Sequence, residues 1–230
     1  MSGVDRERRL GPRAARARET RRRIIAAATR LFVEDGYLPT TMNAIAREAD
    51  VAVQTLYFAF GTKAHILAAA LDVAIVGDDA PVPLMDRPWI EALRAEEDGG
   101  QAVALMCRAG AQLIRRVAPL LAAIRAAAGD ADVADLLEGN QQSRYATMRQ
   151  FVAILAEKPG FNQALGQERA ADIVDALTRD ELYLLLCVTR GWTVEEWTAW
   201  VAATLANQLF PTSSPAPGPA QSNPRDTEEY

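Results

Sequence analysis

The sequence predicts an all-α protein in two unequal parts, and three observations predict it. Apolar residues recur at the i, i+3/i+4, i+7 spacing of amphipathic helices along most of the chain. No run of alternating β-branched residues competes with them, and Ala, Leu, Arg and Glu dominate instead. The stretch GDDAPVPLMDRP, residues 77–88, sets three prolines between a first group of short helical patterns and a second group of longer ones. A length of 230 residues suits one small and one medium domain.

The elements follow in order. Residues 1–19 are Arg-rich, contain Gly11-Pro12 and are expected to be a disordered basic arm, with order beginning near Thr20. Ile24, Ile25, Ala28, Leu31 and Phe32 form the apolar stripe of a first helix, which Asp35-Gly36 stops. Thr40 or Thr41 caps a second helix with Met42, Ile45, Ala46 and Ala49 on its apolar face. Asp50-Val51 leaves room only for a tight turn before a third helix from about Ala52 to Phe60, and Thr62 caps a fourth that carries on through Ala74. Two short helices joined by a tight turn and braced on each side form a helix-turn-helix arrangement. Beyond the hinge, helices are expected at 89–97, 101–117, 118–128, 131–157, 168–188 and 193–209, with Pro119 among the breaks. The Pro/Ser-rich end, 211–230, reads as a disordered tail. The domains are therefore 20–76 and 77–210.

Composition narrows the chemistry. No apolar run reaches the roughly 18 residues that span a bilayer and no signal peptide precedes the first helix, so a cytoplasmic protein without membrane contact is expected. His65 is the only histidine, and Cys107 and Cys187 sit in apolar helical patterns, so neither a metal site nor a disulfide framework is expected, nor any cofactor. The net charge of −5 conceals an asymmetry: residues 1–65 carry twelve Lys/Arg against seven Asp/Glu, and the first 30 residues alone carry ten Arg. Charge concentrated at one end fits local contact with a polyanion, because counterion release rewards positive charge only where the phosphates are. A solvated basic tail fits it equally.

The third helix, VQTLYFAF, divides by angle. Val53, Leu56 and Phe60 share one side, Gln54, Thr55 and Phe58 the other, and Tyr57 the flank. Gln54 suits adenine edges and Phe58 a thymine methyl, while Tyr57, Lys63 and helix-start N–H groups suit phosphates. The competing reading is a packing domain with a partly exposed Phe58.

The run TRRRIIAAATRLFVEDGYLPTTMNAIAREADVAVQTLYFAFGTK, Thr20 to Lys63, resembles the N-terminal domain of the tetracycline-repressor (TetR) family of bacterial transcriptional regulators. Ala27, Phe32, Gly36, Tyr37, Thr40-Thr41, Ile45-Ala46, Ala49, Val51, Thr55-Leu56-Tyr57, Phe60 and Lys63 carry the likeness at the family's spacing. The resemblance implies a homodimer whose third helices enter the major grooves of a palindromic double-stranded DNA operator. It places Thr41, Tyr57 and Lys63 at phosphates and Gln54 and its neighbours at bases. The residues expected at DNA are thus Thr40, Thr41, Val53, Gln54, Thr55, Tyr57, Phe58 and Lys63. Three positions depart from the family pattern: Asp50 replaces the usual turn glycine, Ala52 the usual serine cap, and Ala59 the usual histidine or aromatic.

The segment ERAADIVDALTRDELYLLLCVTRGWTVEEWTAWVAATLANQLF resembles the last two helices of one branch of the family. Its stripes, Leu182, Leu185 and Leu186 on one helix and Trp197, Trp200, Val201 and Leu205 on the other, are expected at a dimer interface; intrachain core is the alternative. Trp89, Met106, Cys107, Tyr145, Met148 and Phe151 are candidates to line a cavity for an unknown small-molecule effector, apolar or aromatic. The expected function is a dimeric, ligand-responsive DNA-binding regulator, a repressor in the main reading, located on the nucleoid when bound. An α-helical enzyme or small-molecule-binding protein is the alternative, but His65 is far in sequence from both cysteines and Glu195-Glu196 reads as an exposed first helical turn.

Overall fold

The computed structural model describes residues 11–77 and 82–211, and every described element is helical. The expectations for residues 1–10 and for the tail beyond Pro211 lie outside this range. The first helix, α1, spans Pro12–Glu34, so it starts eight residues before Thr20. Gly11-Pro12 is a start signal here, not a mark of disorder: proline at the first helical turn lacks only an N–H that would have no partner there, and Ala and Arg, which fill residues 13–18, are good helix formers. The segment 12–19 of the basic arm is therefore helical. Gly36, with φ +88°, turns the chain after α1.

Helix α2 (Met42–Glu48) is capped by the Thr41 hydroxyl, which accepts from the Ala44 N–H at 3.1 Å. Helix α3 (Val53–Phe60) follows the tight turn with no side-chain cap at Ala52. Asp50 adopts φ +52° there, the left-handed conformation that the glycine usual in the family would take more readily. Arg23 of α1 supports the turn by donating to the carbonyls of Ala49 and Asp50. Helix α4 (Lys63–Val76) begins on a Thr62 cap and ends at Gly77, whose φ is +90°.

After a 3-10 turn at Leu84–Asp86 come α5 (Pro88–Ala95), α6 (Gly99–Ala126), α7 (Ala131–Ala156) and α8 (Gln167–Leu177). A short α9 (Asp180–Tyr183) winds into a π turn at Leu184–Thr189, and α10 (Val194–Leu209) closes the order. Two expected boundaries change. Pro119 does not divide 101–128: α6 runs through it, giving up only the bond that a residue-119 N–H would make, while Val117, Ala118, Leu120 and Leu121 around it are buried and hold the helix together. The expected helix 168–188 breaks at Thr178, whose hydroxyl donates back to the Val174 carbonyl, and restarts where Arg125 of α6 pairs with the buried Asp180 at 2.6 Å.

Helix α6 is the spine. Its C-terminal half, through Val117, Leu120, Leu121 and Ile124, packs into one core with Ile24, Phe32, Ile45, Leu56, Ile66 and Leu67 of the first four helices. Its N-terminal half, through Val103, Met106 and Ala111, enters a second core with α5, α7, α8 and α10. Burial of about 25 cal/mol per Å² of apolar surface makes both cores the main stabilising term, and one helix belongs to both. The helix-turn-helix is thus mounted directly on the helix that lines the C-terminal cavity.

Candidate nucleic-acid interface and ligand cavity

The core anchors α3 by one side and leaves the other to solvent. Leu56 and Phe60 are buried, Val53 is half-buried, and Gln54 and Tyr57 are exposed. Phe58 is 95% exposed, the most exposed large apolar side chain described. Full hydration of a phenyl ring forgoes a few kcal/mol that burial would supply, so a packing role does not account for Phe58. Thr55 lies half-buried between the faces. The exposed Thr41, its oxygen accepting from Ala44, keeps its hydroxyl proton for an outside acceptor.

Two residues expected at DNA are placed elsewhere. Thr40 is buried, and its hydroxyl donates to the Gly36 carbonyl at 2.7 Å and lies 3.3 Å from that of Leu31, so it closes the α1–α2 loop and presents nothing to a phosphate. Lys63 points back into the protein: its ammonium donates to the carbonyls of Tyr37 at 2.8 Å and Thr40 at 2.9 Å and stands 4.0 Å from the centre of the Tyr37 ring. Partial burial lowers its pKa, and Asp130 of the α6–α7 turn opposes that shift. The ammonium ties the α1–α2 loop to the start of α4 and so positions the reading head from within.

The second core contains a cavity of about 590 Å³. Trp89, Met106, Cys107, Met148 and Phe151 line it as expected, with the Trp89 and Phe151 rings 5.6 Å apart. Burial pushes the Cys107 thiol up to about 12, which leaves it a protonated packing group. Tyr145 does not line the cavity; it sits at the α7–α8 seam, where its hydroxyl donates to Asp172 at 2.8 Å. Sequence reading missed the polar lining. Among the described residues Arg87, Arg108, Arg116 and Arg144 all border the cavity and no Asp or Glu does, though Asp175 pairs with Arg144 just behind its wall. Arg108 and Arg116, two turns apart on one side of α6, were the visible signal. Arg144 approaches Asp175 to 2.9 Å, and its terminal nitrogen donates to the Thr178 hydroxyl at 2.8 Å. The Trp197 indole N–H, in the cavity wall, is buried without a hydrogen-bond partner.

The stripes expected at a dimer interface divide in the structure. Trp197, Val201 and Leu205 are fully buried against the second core, because i, i+4, i+8 on α10 is the face that packs on α6. Those three are intrachain core. Leu182 and Leu186 are half-buried, whereas Leu185, Val188 and Trp200 are exposed on the π turn and α10.

A tight helical hairpin that presents an uncapped short helix outward, above a shared helical core, defines a helix-turn-helix DNA-binding domain. Residues 24–70 match the model of bacterial regulatory proteins, tetR family, about a fifth of the chain. The HTH-type transcriptional regulator HbdR of Aromatoleum sp. is 53% identical over 49 residues, 21% of each chain. The HTH-type transcriptional repressor KstR of Mycolicibacterium smegmatis is 45% identical over 65 residues, 28% of this chain and 31% of KstR. The chain thus matches less than a third of the length of these curated relatives. The crystal structure of the transcriptional regulator FadR from Bacillus subtilis in complex with stearoyl-CoA superposes with a TM-score of 0.63 at 15% identity, covering 83% of this chain and 98% of FadR, a likeness of fold.

Proposed function

We propose that the chain is a homodimeric, ligand-responsive transcriptional regulator of the bacterial cytoplasm, acting as a repressor, that inserts α3 into the major groove of a palindromic operator. The observation that carries this reading is the exposure of Phe58 beside Gln54 on a helix whose opposite side is locked into the core. Gln54 reads an adenine edge, Phe58 meets a thymine methyl, Thr55 and Val53 approach the groove wall, and Tyr57 and Thr41 hold phosphates. Thr40 and Lys63 act one step back by fixing the loop and the start of α4.

Self-association through Leu185, Val188 and Trp200 supplies the two-fold axis that a palindrome needs. No single helix among the described residues is long and apolar enough to cross a membrane. The cavity takes the effector, and α6, which borders the cavity and enters the reading-head core, supplies the mechanical link. FadR, bound to stearoyl-CoA, is a protein of like fold with an amphipathic anionic ligand. Selection from a random duplex pool tests the reading: it is expected to yield a palindrome with half-sites about one helical turn apart or slightly more, and affinity that falls steeply with salt. Salt-sensitive binding with no enriched sequence would overturn it.

A further inference from the structure

Between Arg13 and Arg23 no side chain of α1 is buried, and Ile24 is the first that is. About three turns of helix therefore run ahead of the core. They carry Arg13, Arg16, Arg18, Arg21, Arg22 and Arg23 against one acid, Glu19, which pairs with Arg22 at 2.7 Å. Residues 1–10, outside the described range, add Arg6, Arg8 and Arg9 against Asp5 and Glu7, so the segment is positive on balance however they lie.

The last of these turns is tied to the helix-turn-helix at two places. Arg21 stands 4.5 Å from the centre of the Phe60 ring, at the last residue of α3. Arg23 donates to the carbonyls of Ala49 and Asp50, in the turn just ahead of α3. At about 100° per residue, Arg16 falls within about 20° of Arg23 around the helix and Arg13 within about 80°, so both continue the stripe that Arg23 shows to that turn. Both are exposed. At 1.5 Å per residue they stand about 10 Å and 15 Å beyond Arg23 along the axis. A basic stripe thus runs on, clear of the core, from the end of α3 that carries Gln54.

Helix stability does not account for this stripe, because cations in the first turns of a helix oppose its dipole and α1 has no acid there. A lipid surface does not account for it either. Membrane-binding helices set bulky apolar residues beside their cations, and Ala14, Ala15 and Ala17 are the only apolar side chains among residues 13–19.

Resting on the DNA reading above, we propose that Arg13 and Arg16 make a second contact, with the phosphates of the duplex that flanks each half-site on the side of the α2–α3 turn. The chemistry is a guanidinium fork on phosphate oxygens, which carries no base preference. Because the helix holds both groups at fixed reach, the contact costs less ordering than a flexible arm would. The flanks add affinity through charge, and specificity stays with α3.

The test uses the full chain and the palindrome that wild type enriches from a random duplex pool. It is made once without flanks and once with about eight added base pairs at each end, roughly 27 Å of duplex at 3.4 Å each. R13Q/R16Q is compared with wild type, and R94Q/R169Q, which removes the same charge from exposed sites on α5 and α8, is the control. On the flanked duplex the slope of log K against log salt is expected to be smaller for R13Q/R16Q by about 3.6, at 0.9 for each of two phosphates on each of two protomers, while the control keeps the wild-type slope. Without flanks the slopes of R13Q/R16Q and wild type coincide, and R13Q/R16Q enriches the same palindrome from the pool.

Equal slopes for R13Q/R16Q and wild type on the flanked duplex would overturn the proposal. So would an equal fall in R94Q/R169Q, which makes the effect one of overall charge, or a changed palindrome, which makes the two arginines base readers. Vesicles of phosphatidylglycerol and phosphatidylcholine test the other polyanion: cosedimentation of wild type that R13Q/R16Q loses, together with equal DNA slopes, would assign the stripe to lipid. Failure of the operator reading shows differently: wild type then enriches no palindrome, whatever stands at positions 13 and 16, and the proposal falls with it.

Discussion

Lys63 shows how a side chain that resembles a DNA contact can act from behind the interface. Its ammonium spends its donors on the carbonyls of Tyr37 and Thr40 and rests on the Tyr37 ring. Lys63→Met leaves those carbonyls without their cation and is expected to lower stability by about 2 kcal/mol in urea unfolding, with an unchanged m value. If Lys63 served only phosphates, the unfolding curve would stay in place and only DNA affinity would fall. Asp50 carries the opposite lesson. It accepts the left-handed conformation at φ +52° because Asp is among the few side-chain-bearing residues that tolerate it and Arg23 holds the adjoining carbonyls. The replacement of the usual glycine thus leaves the turn intact. Phe58 needed no correction: angular position on α3 was enough to place it outside, because Leu56 and Phe60 fix the inward side.

Among the elements, α2, α3 and α4 were legible because each begins or ends on local chemistry: Thr41, Thr62, Gly61 and Gly77. Helices whose limits depend on distant partners were not. Pro119 stays inside α6 because buried neighbours on both cores outweigh one lost backbone bond, and no local signal announces that. The restart after Thr178 lies where Arg125 reaches Asp180 across 55 residues, a partner that no local signal announces. The stripe on α10 was legible as apolar but not as two faces, since only the packing on α6 shows that Trp197 turns in and Trp200 out.

The start of α10 offers a direct check. Thr193 accepts from the Glu196 N–H at 3.1 Å while the Glu196 carboxylate accepts from the Thr193 N–H at 2.8 Å, a reciprocal capping box. Thr193→Ala is expected to cost about 1 kcal/mol in thermal unfolding. Those donors to the carboxylate hold the Glu196 pKa below its ordinary value of 4.5. An acid with a depressed pKa contributes stability above its unfolded value and loses it as pH falls through the folded one. The Thr193 hydroxyl also donates to the carboxylate at 3.0 Å, and only that part of the Thr193→Ala penalty should follow pH, present at neutral pH and fading below pH 4.5, because the backbone N–H bond survives in the variant; melting curves across that range read it.

At the scale of the whole molecule, two cores share α6, so the described residues that border the cavity and those that carry the helix-turn-helix pack on one helix. The hinge expected at 77–88 interrupts the chain but not the packing, since α4 and α6 lie together in the first core. A second copy is the remaining part of the account. Leu185→Glu puts a charge among Leu185, Val188 and Trp200 and is expected to turn a dimer into a monomer in sedimentation, with a melting temperature that no longer depends on protein concentration. A variant that sediments as wild type would move the dimer surface elsewhere.

Whether the outward side of α3 reads DNA is tested most directly by selection from a random duplex pool with wild type and Phe58→Ala side by side. Phe58 is so exposed that its loss should leave folding stability within about 0.5 kcal/mol. Wild type is expected to enrich a palindrome with a thymine at a fixed position in each half-site, and Phe58→Ala to enrich the same palindrome with that position relaxed. Identical enriched pools from the two proteins, or no palindrome from wild type, would contradict the account.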